Sequence, residues 1–167
     1  MERRKVSRRG GKKKSDWKRV KAAQTLRHVV DSILKFDPLS NLVIMGDFND
    51  EPADSSVHNV LRAGKDSQQA AMSKLYNCFY KQQEDGLGSL KYKQYWDMFD
   101  QIIVSQNMIR EKNMLRYVDC SSSIYNPKWM RVPEGDWKDA PKRSHIRKQF
   151  HEDGYSDHFP VFIHLEY

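Results

Sequence analysis

The sequence predicts a mixed α/β domain. Three observations carry this: a long stretch with apolar residues at three- and four-residue spacing, two short continuous apolar runs, and a closing segment that alternates apolar and polar side chains. In chain order they read helix, strand, helix, strand, strand, which is a mixed α/β pattern.

The first helix is expected from Asp16, with Trp17, Val20, Ala23, Leu26, Val29, Val30, Ile33 and Leu34 recurring along it, and Asp37-Pro38 should end it. Leu42-Val43-Ile44-Met45 reads as a strand buried on both faces. A second helix is expected near Asp54, with Val57, Val60 and Leu61 inward and Gly64 as its stop. The polar, glycine-bearing stretch 82–89 reads as a loop. Gln101 to Ser105, with Ile102, Ile103 and Val104, forms the next buried strand. From Cys120 to Asp153 the pattern dissolves into Ser, Pro, Gly and charge, an irregular stretch long enough to suggest a functional or disordered segment. Phe159 to Tyr167 closes the chain as a strand, with Val161, Ile163 and Leu165 facing inward.

Length, at 167 residues, allows one ordinary domain, and no internal repeat is visible. The apolar runs of four or five residues are too short to span a bilayer, and the basic start is followed by no apolar signal region. Cys78 and Cys120 are too few for a disulfide framework or a zinc site and read as buried free thiols. The net charge of +7 is uneven: residues 1–21 carry +9, so the other 146 carry −2. Residues 1–15 therefore read as a basic, mobile tail ahead of a domain over residues 16–167. Such an arm attracts phosphates by counterion release, although no aromatic residues interleave in it to stack on bases.

Three short motifs carry the chemistry: Gly46-Asp47-Phe48-Asn49, Asp100-Gln101-Ile102 and Ser156-Asp157-His158. Asp47 and Asn49 stand two residues apart, so an extended backbone points both the same way, where carboxylate and amide oxygens suit Mg²⁺ or Mn²⁺ better than zinc; the alternative for these two residues is an Asp-Asn turn that caps the strand. Asp100 and Asp157-His158 precede strands, whereas Asp47 follows one. If the Leu42 strand runs antiparallel to the other two, all three motifs meet at one sheet edge. There His158, with one ring nitrogen on Asp100, becomes a general base in a fixed tautomer, and Asp157 is left to face metal or nucleophile. His28, His145 and His151 read as surface residues.

In order and spacing these motifs resemble the last three motifs of the endonuclease/exonuclease/phosphatase family. Ser7-Arg8-Arg9-Gly10-Gly11, Arg19 with Ala22-Ala23, and Tyr92 to Ser105 look like its bacterial branch. The resemblance implies the C-terminal part of a four-layered sandwich of two mixed sheets with helices outside, cleaving phosphoesters with bound divalent metal. Asp47 and Asn49 would bind and orient phosphate, metal and nucleophile, Asp157 would assist the metal, and His158 with Asp100 would form the base dyad. The family's first half supplies an asparagine, a metal-binding glutamate and a further histidine, none of which is found here. The expectation is thus a metal-dependent phosphoester hydrolase represented by its C-terminal half, feeble alone, whose partner is the missing N-terminal half. Its substrate, whether nucleic acid, lipid or sugar phosphate, is open. The rival expectation is a non-catalytic module that binds nucleic acid through its basic arm, or a half-domain that completes its fold with another chain.

Overall fold

The computed structural model describes residues 10–110, 113–146 and 148–167. Helix α1 spans Gly10–Phe36, followed by strand β1 (Val43–Asp47), a π-helical turn (Ser56–Leu61), β2 (Ala63–Gly64), α2 (Ser67–Ser73), β3 (Leu75–Asn77) and α3 (Tyr80–Glu84). Strands β4 (Leu90–Tyr92), β5 (Tyr95–Asp97) and β6 (Asp100–Ser105) come next. Short strands complete the chain: β7 (Arg116–Tyr117), β8 (Ser123–Ile124), β9 (His145–Ile146), β10 (Gln149–Phe150), β11 (Val161–Phe162) and β12 (Leu165–Glu166).

The central sheet has the order β1-β6-β3-β2 and is mixed: β1 and β3 pair antiparallel with β6, and β2 pairs parallel with β3. Successive side chains of β6 point to opposite faces, and each face has its own core. Ile103 joins Ala23 and Val30 of α1 and Val57 and Leu61 of the π turn. Ile102 and Val104 join Phe79, Met98, Met108 and Tyr117, with Ile124, Val161 and Ile163 packed against them. The layers are therefore helix, sheet and a further set of short strands. Each fully buried Leu, Ile or Phe side chain contributes roughly 1.5–3 kcal/mol.

Helix α1 starts six residues before the expected Asp16, so its first turns enter the stretch assigned to the tail; residues 1–9 lie outside the described residues. It ends where expected, with Asp37 accepting from Leu39 N at 3.0 Å and from Ser40 Oγ at 2.8 Å. The buried stripe is Ala23, Arg27 and Val30, whereas Trp17 is 66% exposed and Val29 and Ile33 also face water. Arg27 is buried because its guanidinium caps other elements: it donates to the carbonyls of Leu61 (3.3 Å) and Ser73 (2.8 Å) and pairs with Asp31, whose carboxyl is held below its usual range by that hydrogen bond.

Several expectations are corrected. Strand β1 is the sheet edge, so only Leu42 and Ile44 reach the core, while Met45 is 75% exposed. The second helix is a π turn closed by Arg62 in the left-handed region (φ 62°), not by Gly64. Gly64 lies in β2, where an added Cβ would come within 2.7 Å of Ala70 N, so glycine is needed there for close packing. Helix α3 takes the start of the expected 82–89 loop. The closing strand is two pieces that change partners, β11 with β8 and β12 with β7, and Leu165 is exposed. Cys78 is buried but Cys120 is exposed. Among the described residues no helix is long and apolar enough to cross a membrane.

Candidate active site

The antiparallel β1–β6 pair places the end of one strand beside the start of the other. Its register sets Asp47 directly opposite Asp100. Two like charges in that relation destabilise a ladder unless something neutralises them. His158 supplies part of the answer. Its Nδ1 lies 2.6 Å from Asp100 Oδ2, and both side chains are about one-fifth exposed, at 19% and 20%. A backbone bridge between Leu90 and His158, with Phe159 N donating to Ser89 O at 2.8 Å, pins His158 at this edge. Only β1 and β6 bring their motifs together through the central sheet; His158 arrives through β4 instead.

Ser89 is the group that sequence reasoning missed. It is fully buried, donates through Oγ to Asp100 Oδ2, and its Oγ accepts from Asp100 N at 3.3 Å. Asp100 is thus held by a hydroxyl while it holds the imidazole. The neighbouring Gly88 is packed so tightly that an added Cβ would lie 2.6 Å from Asp97 O. A serine in a polar, glycine-bearing stretch offers no pattern from which this role could be read.

At Asp47–Asn49 the structure takes the turn, the alternative to a shared strand face. Asn49 adopts φ 51°, not an extended conformation, and its N donates to Asp47 Oδ1 at 2.8 Å. The two-residue spacing therefore produces an Asx turn and not a shared strand face. Both side chains are exposed, as is Asp157. The carboxylate of Asp157 reaches His158 through its charge alone. Behind the turn, Asp50 is fully buried: Arg19 Nε lies 2.8 Å from its Oδ2 and Ser56 Oγ donates to the same oxygen at 2.6 Å. Buried Gln101 donates to Asp50 O (2.6 Å) and Met98 O (3.0 Å) and accepts from Asn77 Nδ2 (2.8 Å), so the second motif's amide braces the first motif's loop.

The hydrogen bond to Asp100 raises the His158 pKa above its ordinary value, with the charges of Asp100, Asp47 and Asp157 adding to this and burial opposing it. A raised histidine pKa stabilises the fold below the unfolded value of about 6.5, and that contribution is lost as pH rises through the folded value. We expect the His158 ring, followed by NMR, to titrate above 6.5, and Asp100→Asn to bring it down. An unchanged midpoint in that variant would mean that the Asp100 contact does not hold the proton.

Asp47, Asp100 and His158 each offer a ligand atom, all within 4.8 Å of one another. The donor chemistry fits a hard divalent cation on the carboxylates, since two facing carboxylates need a positive partner. His158 Nδ1 and Asp100 Oδ2 are committed to each other, leaving the remaining oxygens of Asp47 and Asp100 as the available donors.

Neither the curated proteins nor the solved structures compared with this chain gave a match. A family model does match, described as the endonuclease/exonuclease/phosphatase family, over residues 3–167. With nearly the whole sequence matched, this chain belongs to the endonuclease/exonuclease/phosphatase family.

Proposed function

We propose that this chain carries the catalytic edge of a divalent-metal-dependent phosphoester hydrolase, using Mg²⁺ or Mn²⁺. The observation that carries the reading is the 2.6 Å contact between His158 Nδ1 and Asp100, with Asp47 facing Asp100 across the ladder. His158, with Nδ1 held by Asp100, presents Nε2 for a proton in transit. Ser89 keeps Asp100 from rotating away. Asp47, Asn49 and Asp157 project from the exposed rim and orient the phosphate, the attacking water and the cation. When bound, the cation supplies charge neutralisation at the phosphoryl oxygens and a more acidic water. The helix, sheet and short-strand layers correspond in this reading to part of a four-layered sandwich. The family's asparagine, glutamate and second histidine are expected from the N-terminal half, so turnover by this chain alone is low.

The test uses bis-p-nitrophenyl phosphate with Mg²⁺ or Mn²⁺. Hydrolysis barely above background is expected from the chain alone. Fusion to the N-terminal half of a relative that carries those three residues should restore turnover. A folded fusion that stays inactive with either metal on this ester, plasmid DNA and a lipid phosphodiester would refute the reading.

A further inference from the structure

Between Tyr125 and Ser156 the chain builds a platform that the catalytic edge does not use. Lys142 N donates to Met130 O at 2.8 Å, Arg131 bridges Pro141, and Tyr155 N donates to Lys142 O at 3.0 Å. Three segments therefore lie side by side, tied by backbone hydrogen bonds. Met130, Ala140, Pro141 and Gly154 are buried beneath them. The large rings face the other way. Trp129 is 55% exposed and Tyr155 is 65% exposed, and their rings meet edge to face with centroids 5.7 Å apart. Neither ring belongs to a hydrophobic core, so the fold does not explain them.

Two further features point to what they meet. Lys128 adjoins Trp129 in sequence and Lys142 adjoins Tyr155 through the backbone, and neither has a carboxylate partner among the described residues. Tyr155 also stands only three residues before His158, so its Cα lies within about 11 Å of the histidine's, from the reach of an extended chain. Exposed planar rings on segments that carry Lys128 and Lys142, the Tyr155 ring three residues from His158 along the chain, match a ligand that alternates flat bases with phosphates. The same segment carries Glu134, Asp136, Asp139, Glu152 and Asp153 against seven Lys/Arg, a charge density ill suited to entering hydrocarbon and a balance that stays positive toward a polyanion.

We propose that Trp129 and Tyr155 form a base-stacking platform, flanked by Lys128 and Lys142, that holds single-stranded nucleic acid with an unstacked base beside the His158–Asp100 edge. The proposal rests on the phosphoester hydrolase reading for its substrate, but binding tests it without turnover. Labelled thymidine dodecamer and an abasic strand of the same length would be titrated with the protein in EDTA, using fluorescence anisotropy. The thymidine strand should bind more tightly than the abasic one. Trp129→Ala and Tyr155→Ala should each weaken thymidine binding roughly 5- to 150-fold, the range expected for loss of one stacking ring, and leave abasic binding nearly unchanged. Trp129→Phe should retain most of the affinity, and circular dichroism of each variant should match the parent.

Equal affinity for both strands, no measurable binding of either, or thymidine binding indifferent to Trp129→Ala and Tyr155→Ala would overturn the platform. So would adsorption to phosphatidylcholine vesicles that is lost in Trp129→Ala while thymidine binding is unaffected, which would make the rings a membrane contact. Base-dependent binding with no hydrolysis in the fusion leaves the platform standing and removes the hydrolase. Hydrolysis of the small ester without base-dependent binding does the reverse.

Discussion

His158→Ala is expected to lower kcat of the complemented enzyme by about 100- to 10,000-fold, the range for losing a positioned general acid or base, with a much smaller change in KM. The reason is geometric. Nδ1 is fixed 2.6 Å from Asp100 Oδ2, so the ring has one tautomer and one orientation, and alanine removes the Nε2 that would take a proton at this edge. Asp100→Asn is the more discriminating variant. It keeps the shape, removes the charge, and changes which ring nitrogen carries hydrogen. Because Asp100 raises the His158 pKa, the working neutral imidazole forms only above that raised value. In Asp100→Asn the rising limb of the kcat/KM profile should therefore move to lower pH, above a much reduced plateau. Normal turnover without His158 would show that another group serves as base. A rising limb unmoved in Asp100→Asn would assign that limb to a different ionisation.

The residues of this edge were legible because each motif abuts an apolar run, and antiparallel pairing makes the end of one strand the neighbour of the start of another. Asp47 opposite Asp100 is a consequence of that register. What the one-dimensional pattern hides is burial of polar groups by distant partners. Ser89 acts on Asp100 from eleven residues away, and Arg27 sits in the apolar stripe of α1 because carbonyls far along the chain, at Leu61 and Ser73, receive it. Asp47–Asn49 left two readings open for a local reason: a spacing of two implies a shared face only in a strand, and here it closes a turn. The continuous apolar run of β1 implied two covered faces, yet the strand lies at the edge with Met45 outward. Periodicity reports which residues favour a strand, not where in the sheet the strand is placed.

Arg19→Met is expected to cost about 3–5 kcal/mol of stability, the range for breaking one side of a buried ion pair, read as a lower urea midpoint. Asp50 is fully buried immediately after the Asp47–Asn49 turn, with Arg19 Nε at 2.8 Å and Ser56 Oγ at 2.6 Å on the same oxygen. Arg19 is itself steered by Ser15 Oγ at 2.6 Å and Asp16 Oδ1 at 3.3 Å. Removing the guanidinium takes the Arg19 charge away from a carboxylate in a fully buried site, where desolvation is costly. Asp50→Asn removes the charge but keeps an acceptor for Ser56, so it should cost less. Combining it with Arg19→Met should restore part of the loss, a coupling of at least about 1 kcal/mol between groups in contact. The same lesion reaches the chemistry. The carbonyl of Asp50 receives Gln101, the residue beside Asp100, so a loosened Asp50 loop shifts Asp47 relative to the base dyad. Arg19→Met should therefore depress hydrolysis in the complemented enzyme at temperatures where it is still folded, although it touches no substrate. An unchanged urea midpoint, or two substitutions whose costs simply add, would show that the ion pair does not hold this loop.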